Sequence, residues 1–513
     1  MQGAKGAQNA PGKHAETSVL KKIATSGAAN MGAAIVGSVA NFVLIVFVTR
    51  FWPLAEAGVF FAATSFFNIA LALSHLGADQ GIVRFIAWNN GRNEHLRNRT
   101  VVLSGVVPAI CMAVVVGSAG LVLSQTLALI LDGSGRIGST AIIWVLVVSL
   151  PIAVLYEQFL AICRGFAIMR PTIVLERALR PVLQMILILL VGMTWQGLVA
   201  LALAWAVPYA AGLLMAAIAL LRVLKAHPEQ WSNSEVRVKE VAPEFWKFTG
   251  PRGLARLAQV AIQRADVIIV TVLLGPAAAA IYTAATRFLV LGQVVTSALQ
   301  QVSEPQLAGL LSSNRHQAVA TVVRQMTLWS VTLVWPIYIV LAVHAPTLML
   351  WVFGPDYVGG APALVVLCLA MLCSTAMGPM DVLLLMAGRS SLSLMNTSFA
   401  LFLDIALCYL LIPHYGIFGA GLAWAVAILT KSILCAWQVH RHLKLNPPLR
   451  FLGVWLISLF FLFGVVGAGA TLLPQQPWVA VSISVLTGLF YLAILWRKRS
   501  LLLPSGAQQR RLK

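Results

Sequence analysis

Continuous apolar runs of about twenty residues follow one another along this chain, divided by short polar segments. A run of that length crosses the roughly 30 Å hydrocarbon core of a bilayer as an α-helix. A transmembrane barrel would instead show segments of about ten residues alternating in hydropathy. The pattern predicts helices near 24–49, 57–77, 101–124, 140–163, 173–193, 198–221, 248–274, 279–305, 325–343, 361–385, 391–412, 417–439, 451–473 and 478–496. Most connections are short, as between antiparallel neighbours in a bundle. The expected fold is therefore an all-α membrane protein of 14 transmembrane helices.

Composition agrees. Of 513 residues, 59% are apolar and 10% are charged, against about 25% charged in soluble domains. The net charge of +20 raises nucleic acid as a partner, but the cations are spread over short loops. No basic domain with interleaved aromatics gathers them. Their placement orients the chain instead. With the N-terminus inside, segments facing the cytoplasm carry 27 Lys and Arg and outward loops carry 2, Arg50 and Arg136. That asymmetry follows the positive-inside rule and places both termini in the cytoplasm. Residues 1–22 read as a cytoplasmic tail without the apolar core of a signal peptide, and 498–513 as a second tail. The six cysteines lie within or at the ends of apolar runs without CxxC spacing, so they read as small buried hydrophobes.

The chain repeats itself. Leu203-Ala204-Trp205-Ala206-Val207 in the sixth span returns as Leu422-Ala423-Trp424-Ala425-Val426 in the twelfth, 219 residues on. Ala62-Ala63-Thr64-Ser65-Phe66 in the second returns as Ala284-Ala285-Thr286-Arg287-Phe288 in the eighth, 222 residues on. The unit is then six helices, and an even number enters the membrane in one orientation twice. This predicts two six-helix bundles, 23–221 and 248–439, related by a pseudo-twofold along the membrane normal. They are joined by a cytoplasmic linker, 222–247. A helix pair, with its preceding loop at 440–497, is appended.

Ionisable groups at membrane depth cost from about 2.5 kcal/mol upward and should face an interior or a wet cavity. In the seventh span Arg252, Arg256, Gln259, Gln263 and Asp266 recur at steps of 4, 3, 4 and 3, within a sector of roughly 80° on one helix face. Arg264 stands off that stripe. The eighth span adds Arg287 with Thr283, Thr286, Gln293, Gln300, Gln301 and Glu304; the fifth adds Glu176, Arg177 and Arg180. Glu176 and Arg180, four apart, are placed to pair within one helix. Asn30, Asn41, Glu157 and Asp404 read as groups that tie helices together. Two arginines one turn apart with a single acid imply a cavity for an anion, and the guanidinium fork suits phosphate. Asp266 is a candidate for ion coupling or for neutralising an arginine.

Chemistry of other kinds is missing from the sequence. It contains no GxxxxGK[ST] loop and no HExxH, and no loop is long enough for a soluble catalytic domain. His440 and His442 lack further ligands, so they read as a solvated loop. No catalytic residue, metal or cofactor is expected, and the chain reads as a non-enzyme.

Leu350-Trp351-Val352-Phe353-Gly354-Pro355-Asp356-Tyr357 follows the ninth span, and Asp266 is followed by Leu273-Leu274-Gly275 and Ile281-Tyr282-Thr283-Ala284-Ala285. These segments, in this order and with this span count, resemble the multidrug/oligosaccharidyl-lipid/polysaccharide exporter superfamily, in particular the polysaccharide transporter branch of Wzx-type flippases. The resemblance implies a bacterial inner-membrane flippase that moves polyprenyl-diphosphate-linked oligosaccharides from the cytoplasmic to the outer leaflet by alternating access. Glycosyltransferases and a polysaccharide polymerase are the partners it implies. On that reading Arg252, Arg256, Gln259, Gln263, Arg287, Arg177 and Arg180 line the substrate cavity, and Asp266 and Glu176 are the coupling candidates. A lipid II flippase and a small-cation or drug antiporter on the same fold remain as alternatives, with a membrane-embedded glycan polymerase or ligase behind them.

Overall fold

The structure, a computed structural model, describes residues 12–445 apart from 133–136, 195–196, 229–236 and 314, and scattered positions between 459 and 497. Among these residues there is no strand. The first half of the chain forms α1 (Gly12–Phe51), α2 (Leu54–His75), α3 (Ala78–Gly91), α4 (Asn98–Val122), α5 (Ser124–Asp132) and α6 (Ile137–Gly165). A π-helical segment, Thr172–Leu179, then runs into α7 (Arg180–Thr194), and α8 (Leu198–Ala226) follows. The second half forms α9 (Val238–Ala261), α10 (Ala265–Leu274), α11 (Pro276–Arg287), α12 (Leu289–Ser312), α13 (His316–Val343), α14 (Ala345–Leu348), α15 (Ala361–Met377), α16 (Met380–Met386) and α17 (Ser390–Leu443).

Among the described residues, eight helices are long and apolar enough to cross a membrane, or ten if the bent pairs α9/α10 and α11/α12 each count as one. A helix or helix pair stands over each of the first twelve expected spans. The last two, 451–473 and 478–496, lie for the most part outside the described residues, so the count of fourteen stays an expectation. Of that pair, Phe463 stacks edge-on against Tyr491 at 5.4 Å, and the Tyr491 hydroxyl donates to Thr332 O at 3.2 Å. Tyr491 therefore meets α13.

Three departures from straight helices shape the interior. The seventh expected span breaks between α9 and α10 with a bend of 46°. Neither Gly nor Pro sits at 262–264. The break creates a new helix start, and the carboxylate of Asp266 in its first turn accepts from Val267 N at 2.8 Å, where the helix dipole favours an acid. The eighth span bends by 41° at Phe288. In α17 the chain reverses at Gly416, whose φ of 58° and ψ of −137° interrupt the helix. A side chain on Gly419 would collide with Leu411 O, so expected spans eleven and twelve are antiparallel limbs with almost no loop.

The two halves meet on both sides of the interior. On the side expected to face outward, the Arg50 guanidinium donates to Trp351 O and to Val352 O, the latter at 2.9 Å. Phe42, Phe288, Phe353 and Tyr357 stack behind it. Gly58 lets α2 lie against the Pro276 carbonyl at the start of α11. On the expected inner side, the left-handed turn Leu76-Gly77 after α2 (φ 51° and 78°) seats on Gly253 of α9. Asn30 of α1 donates to Gln301 of α12 at 3.3 Å.

Candidate functional site

Among the described residues, three polar cavities lie between these contacts. The largest, a vestibule of about 810 Å³ on the expected inner side, is walled by α3, α6, the π segment and α9. Five arginines line it (Arg84, Arg164, Arg177, Arg252, Arg256), with three carboxylates (Asp79, Glu157, Glu176). All three carboxylates are taken up by two of the arginines. Arg164 meets Glu176 at 3.2 Å, and Arg256 reaches Glu157 at 3.7 Å and Asp79 at 3.9 Å. Arg84, Arg177 and Arg252 have no carboxylate partner among the described residues. Arg84 and Arg252 instead lie over the Phe248 ring at 3.8 and 4.4 Å, a cation–π arrangement, and Arg252 Nη1 also donates to Gln80 Oε1 at 3.4 Å.

Glu157 ties the vestibule to the helix below it. His75, fully buried at the end of α2, has Nε2 at 2.9 Å from Glu157 Oε2, angled away from a straight hydrogen bond. Gln158 Nε2 stands 3.3 Å from His75 Nδ1. Glu157 thus joins a first-half histidine to a second-half arginine.

The other two cavities lie deeper, one in each half. The first-half chamber, about 300 Å³, is lined by Asn41, Thr64, Ser65, Asn68, Arg180, Gln184, Trp205 and Tyr209 among others. The second-half chamber, about 480 Å³, is lined by Gln263, Asp266, Thr286, Gln293, Gln300, Ser330, Ser374 and Trp424 among others. Arg264 and Arg287 line both.

The duplicated segments occupy matching places. Thr64 and Trp205 line one chamber, and their counterparts Thr286 and Trp424 line the other. At the same offset of 222, the lining residues Asn41, Leu44, Ile45, Ser65 and Asn68 correspond to Gln263, Asp266, Val267, Arg287 and Val290, which line the second.

The residues expected in one cavity are distributed over these three. Arg252, Arg256, Arg177 and Glu176 line the vestibule. Arg180 lines the first-half chamber, with its Nη1 donating to Tyr209 OH at 2.7 Å. Gln263, Asp266 and Arg287 line the second, and Gln259, exposed, lines none of the three. The break after α9 is the reason: it carries Asp266 off the Arg252/Arg256 face. Both Asp266 oxygens are occupied, one by Val267 N and the other by Tyr282 OH at 2.8 Å. The intrahelical Glu176–Arg180 pair does not form. Each of the two has a partner on another helix: Glu176 pairs with Arg164 of α6, and Arg180 donates to Tyr209 of α8.

The sequence reading missed Asp79, Gln80 and Arg84, which it assigned to a loop. The segment forms α3, and its buried Ala78, Ile82, Ile86 and Asn89 recur at helical spacing, a signal hidden by the surrounding polar residues. It also passed over Trp424 as a lining group. Among the described residues no cluster of His, Cys, Asp and Glu could hold a metal ion.

A helical membrane fold in two halves, enclosing polar cavities between contacts on either side, defines a transporter. The sequence profile of the polysaccharide biosynthesis protein family matches residues 23–311, and the chain belongs to that family. Its fold is similar to a structure of the lipid II flippase MurJ in an inward closed conformation, with a TM-score of 0.73 at 11% identity over 91% of this chain and 98% of that one. It is also similar to an inward-facing multidrug resistance MATE family transporter of the MOP superfamily (TM-score 0.62, 15% identity, 82% of this chain and 98% of the other). A third likeness is to a MOP superfamily transporter from Pyrococcus furiosus (TM-score 0.52, 16% identity, 83% and 95%), whose binding pocket is described as reversed in polarity. No curated protein sequence matches significantly.

Proposed function

We propose that this protein is a flippase that carries a polyprenyl-diphosphate-linked oligosaccharide from the cytoplasmic to the outer leaflet by alternating access. The observation that carries the reading is the vestibule's uncompensated charge: three of its five arginines have no carboxylate partner among the described residues. A diphosphate supplies the missing anion and offers the paired oxygens that guanidinium forks bind. Arg84, Arg177 and Arg252 engage it, and Arg256 is the cation that it competes for against Asp79 and Glu157. Substrate taking Arg256 from Glu157 would loosen an interhalf tie at the moment of binding. The polyprenyl tail stays in the lipid. In this proposal Asp266, with both oxygens held, anchors α10 against Tyr282 of α11 and is not the coupling group.

The test is transport by the reconstituted protein. Replacing Arg252 and Arg256 together by Ala should lower flipping of a diphosphate lipid by at least about tenfold, since two charge-assisted contacts are each worth about 1.5–3 kcal/mol. Wild-type rates in that variant would remove the phosphate site. A lipid II flippase is the second reading, because its cargo is also an anionic lipid and the likeness to MurJ extends over most of both chains. Rescue of cells lacking their lipid II flippase would favour it. A transporter of small cations or cationic drugs calls for a cavity rich in acid, and the vestibule has five arginines to three carboxylates.

A further inference from the structure

The two chambers stand on one repeated scaffold, so each serves as a control for the other. In the first, Trp205 is locked in place: it is 8% exposed, edge-on to Phe67 at 5.0 Å and against Tyr209 at 5.4 Å. Its counterpart Trp424 has no aromatic neighbour among the described residues, and its indole N–H has no acceptor there; it lines the second-half chamber. A large aromatic face left unstacked beside a cavity is a surface for a ligand.

The opposite wall is polar in a regular way. Gln293, Thr296, Ser297 and Gln300 of α12 all line the same chamber, and steps of 3, 1 and 3 put them on one helix face. Thr296 donates back to its own helix, to Gly292 O at 3.1 Å, which leaves its oxygen free to accept. The amides of Gln293 and Gln300 have no protein partner among the described residues. Gln293 is exposed into the chamber and Gln300 is half-buried, so both amides are open to water or to a ligand.

A wall of amides and hydroxyls and an indole with no ring stacked on it, lining one chamber, call for a molecule with many hydroxyls around an apolar face, which describes a sugar ring. The chamber also carries Arg264 and Arg287 beside Asp266, but the larger excess of cations, five arginines to three carboxylates, is in the vestibule, so the phosphate is assigned there. The two sites are within reach of one molecule: Arg256 and Gln263 are seven residues apart, roughly 10 Å along a helix.

We infer that the second-half chamber is the glycan site, in which a short hydroxyl-rich oligosaccharide lies with one sugar face on Trp424 and hydroxyls on Gln293 and Gln300. The inference rests on the flippase reading, with the diphosphate held in the vestibule. Its 480 Å³ falls within the range of about 300–1,000 Å³ usual for small-ligand sites, enough for a few sugar rings and not for a long polymer.

The test separates the two claims. Full-length protein in nanodiscs is titrated with undecaprenyl diphosphate bearing no sugar, and with the same lipid bearing each of a panel of neutral di- and trisaccharides. Wild-type protein should bind the sugar-free lipid, and at least one glycosylated lipid about tenfold more tightly. Trp424→Ala and, separately, Gln293→Ala should lose most of that gain while binding the sugar-free lipid as the wild type does, and Trp424→Phe should keep it. A gain undiminished in both alanine variants overturns the glycan site, as does a panel in which no sugar adds affinity. Failure of the wild type to bind even the sugar-free lipid overturns the flippase reading on which this rests.

Discussion

At Gly253 the two halves approach backbone to backbone. A Cβ there would collide with Leu76 O and lie 2.9 Å from Gly77 N, and neither atom belongs to a side chain that can swing aside. Gly253→Ala should therefore push the halves apart on the inner side, at an overpacking cost of about 1–3 kcal/mol. In a background without native cysteines, Gln80→Cys, which reports on the vestibule, should then react several-fold faster with an impermeant thiol reagent. An unchanged rate would mean that this contact does not hold the inner side shut. Individual residues of this kind were only partly legible in the sequence. Helical spacing places Arg252 and Arg256 one turn apart, because that relation is local. The acid partners of Arg256 come from α3 and α6, far away along the chain, and no spacing rule reaches them. Trp424 was visible as a repeat marker, but whether an indole is stacked or bare depends on neighbours from other helices.

The elements follow the same division. Apolar runs located the helices because membrane spanning imposes their length, and the break after α9 went unseen because no Gly or Pro marks it. The π segment was equally silent: Thr172–Leu179 has the composition of an ordinary helix, and its wide turns arise where α1 crowds it, with Gly37 against the Arg177 carbonyl. The consequence can be measured by double-mutant cycles on thermal unfolding. Arg164 and Glu176, whose side chains are 21% and 28% exposed, should couple by about 0.5–1 kcal/mol, and Glu176 and Arg180 by nearly nothing. Coupling on the second pair would mean that Glu176 turns to Arg180 and not to Arg164.

For the molecule as a whole, the two halves touch on both sides of the cavities, at Asn30–Gln301 and Gly253 on one side and at Arg50 on the other. Alternating access requires the inner contacts to part. Cysteines in place of Asn30 and Gln301, whose side chains meet at 3.3 Å, bridged by a short cleavable thiol reagent, should stop transport, and cleaving the bridge should restore it. Transport through the bridged protein would exclude a parting of the halves at that point. The duplicated scaffold carries a consequence for how such a protein changes over time. Leu44 and Ser65 in one chamber stand where Asp266 and Arg287 stand in the other, so the copies have diverged at their walls while keeping a common frame. A lineage holding two such compartments can alter what it carries by rewriting one of them, while the other continues to supply the packing on which both depend. New cargo then requires a handful of substitutions in half of the gene and no new architecture.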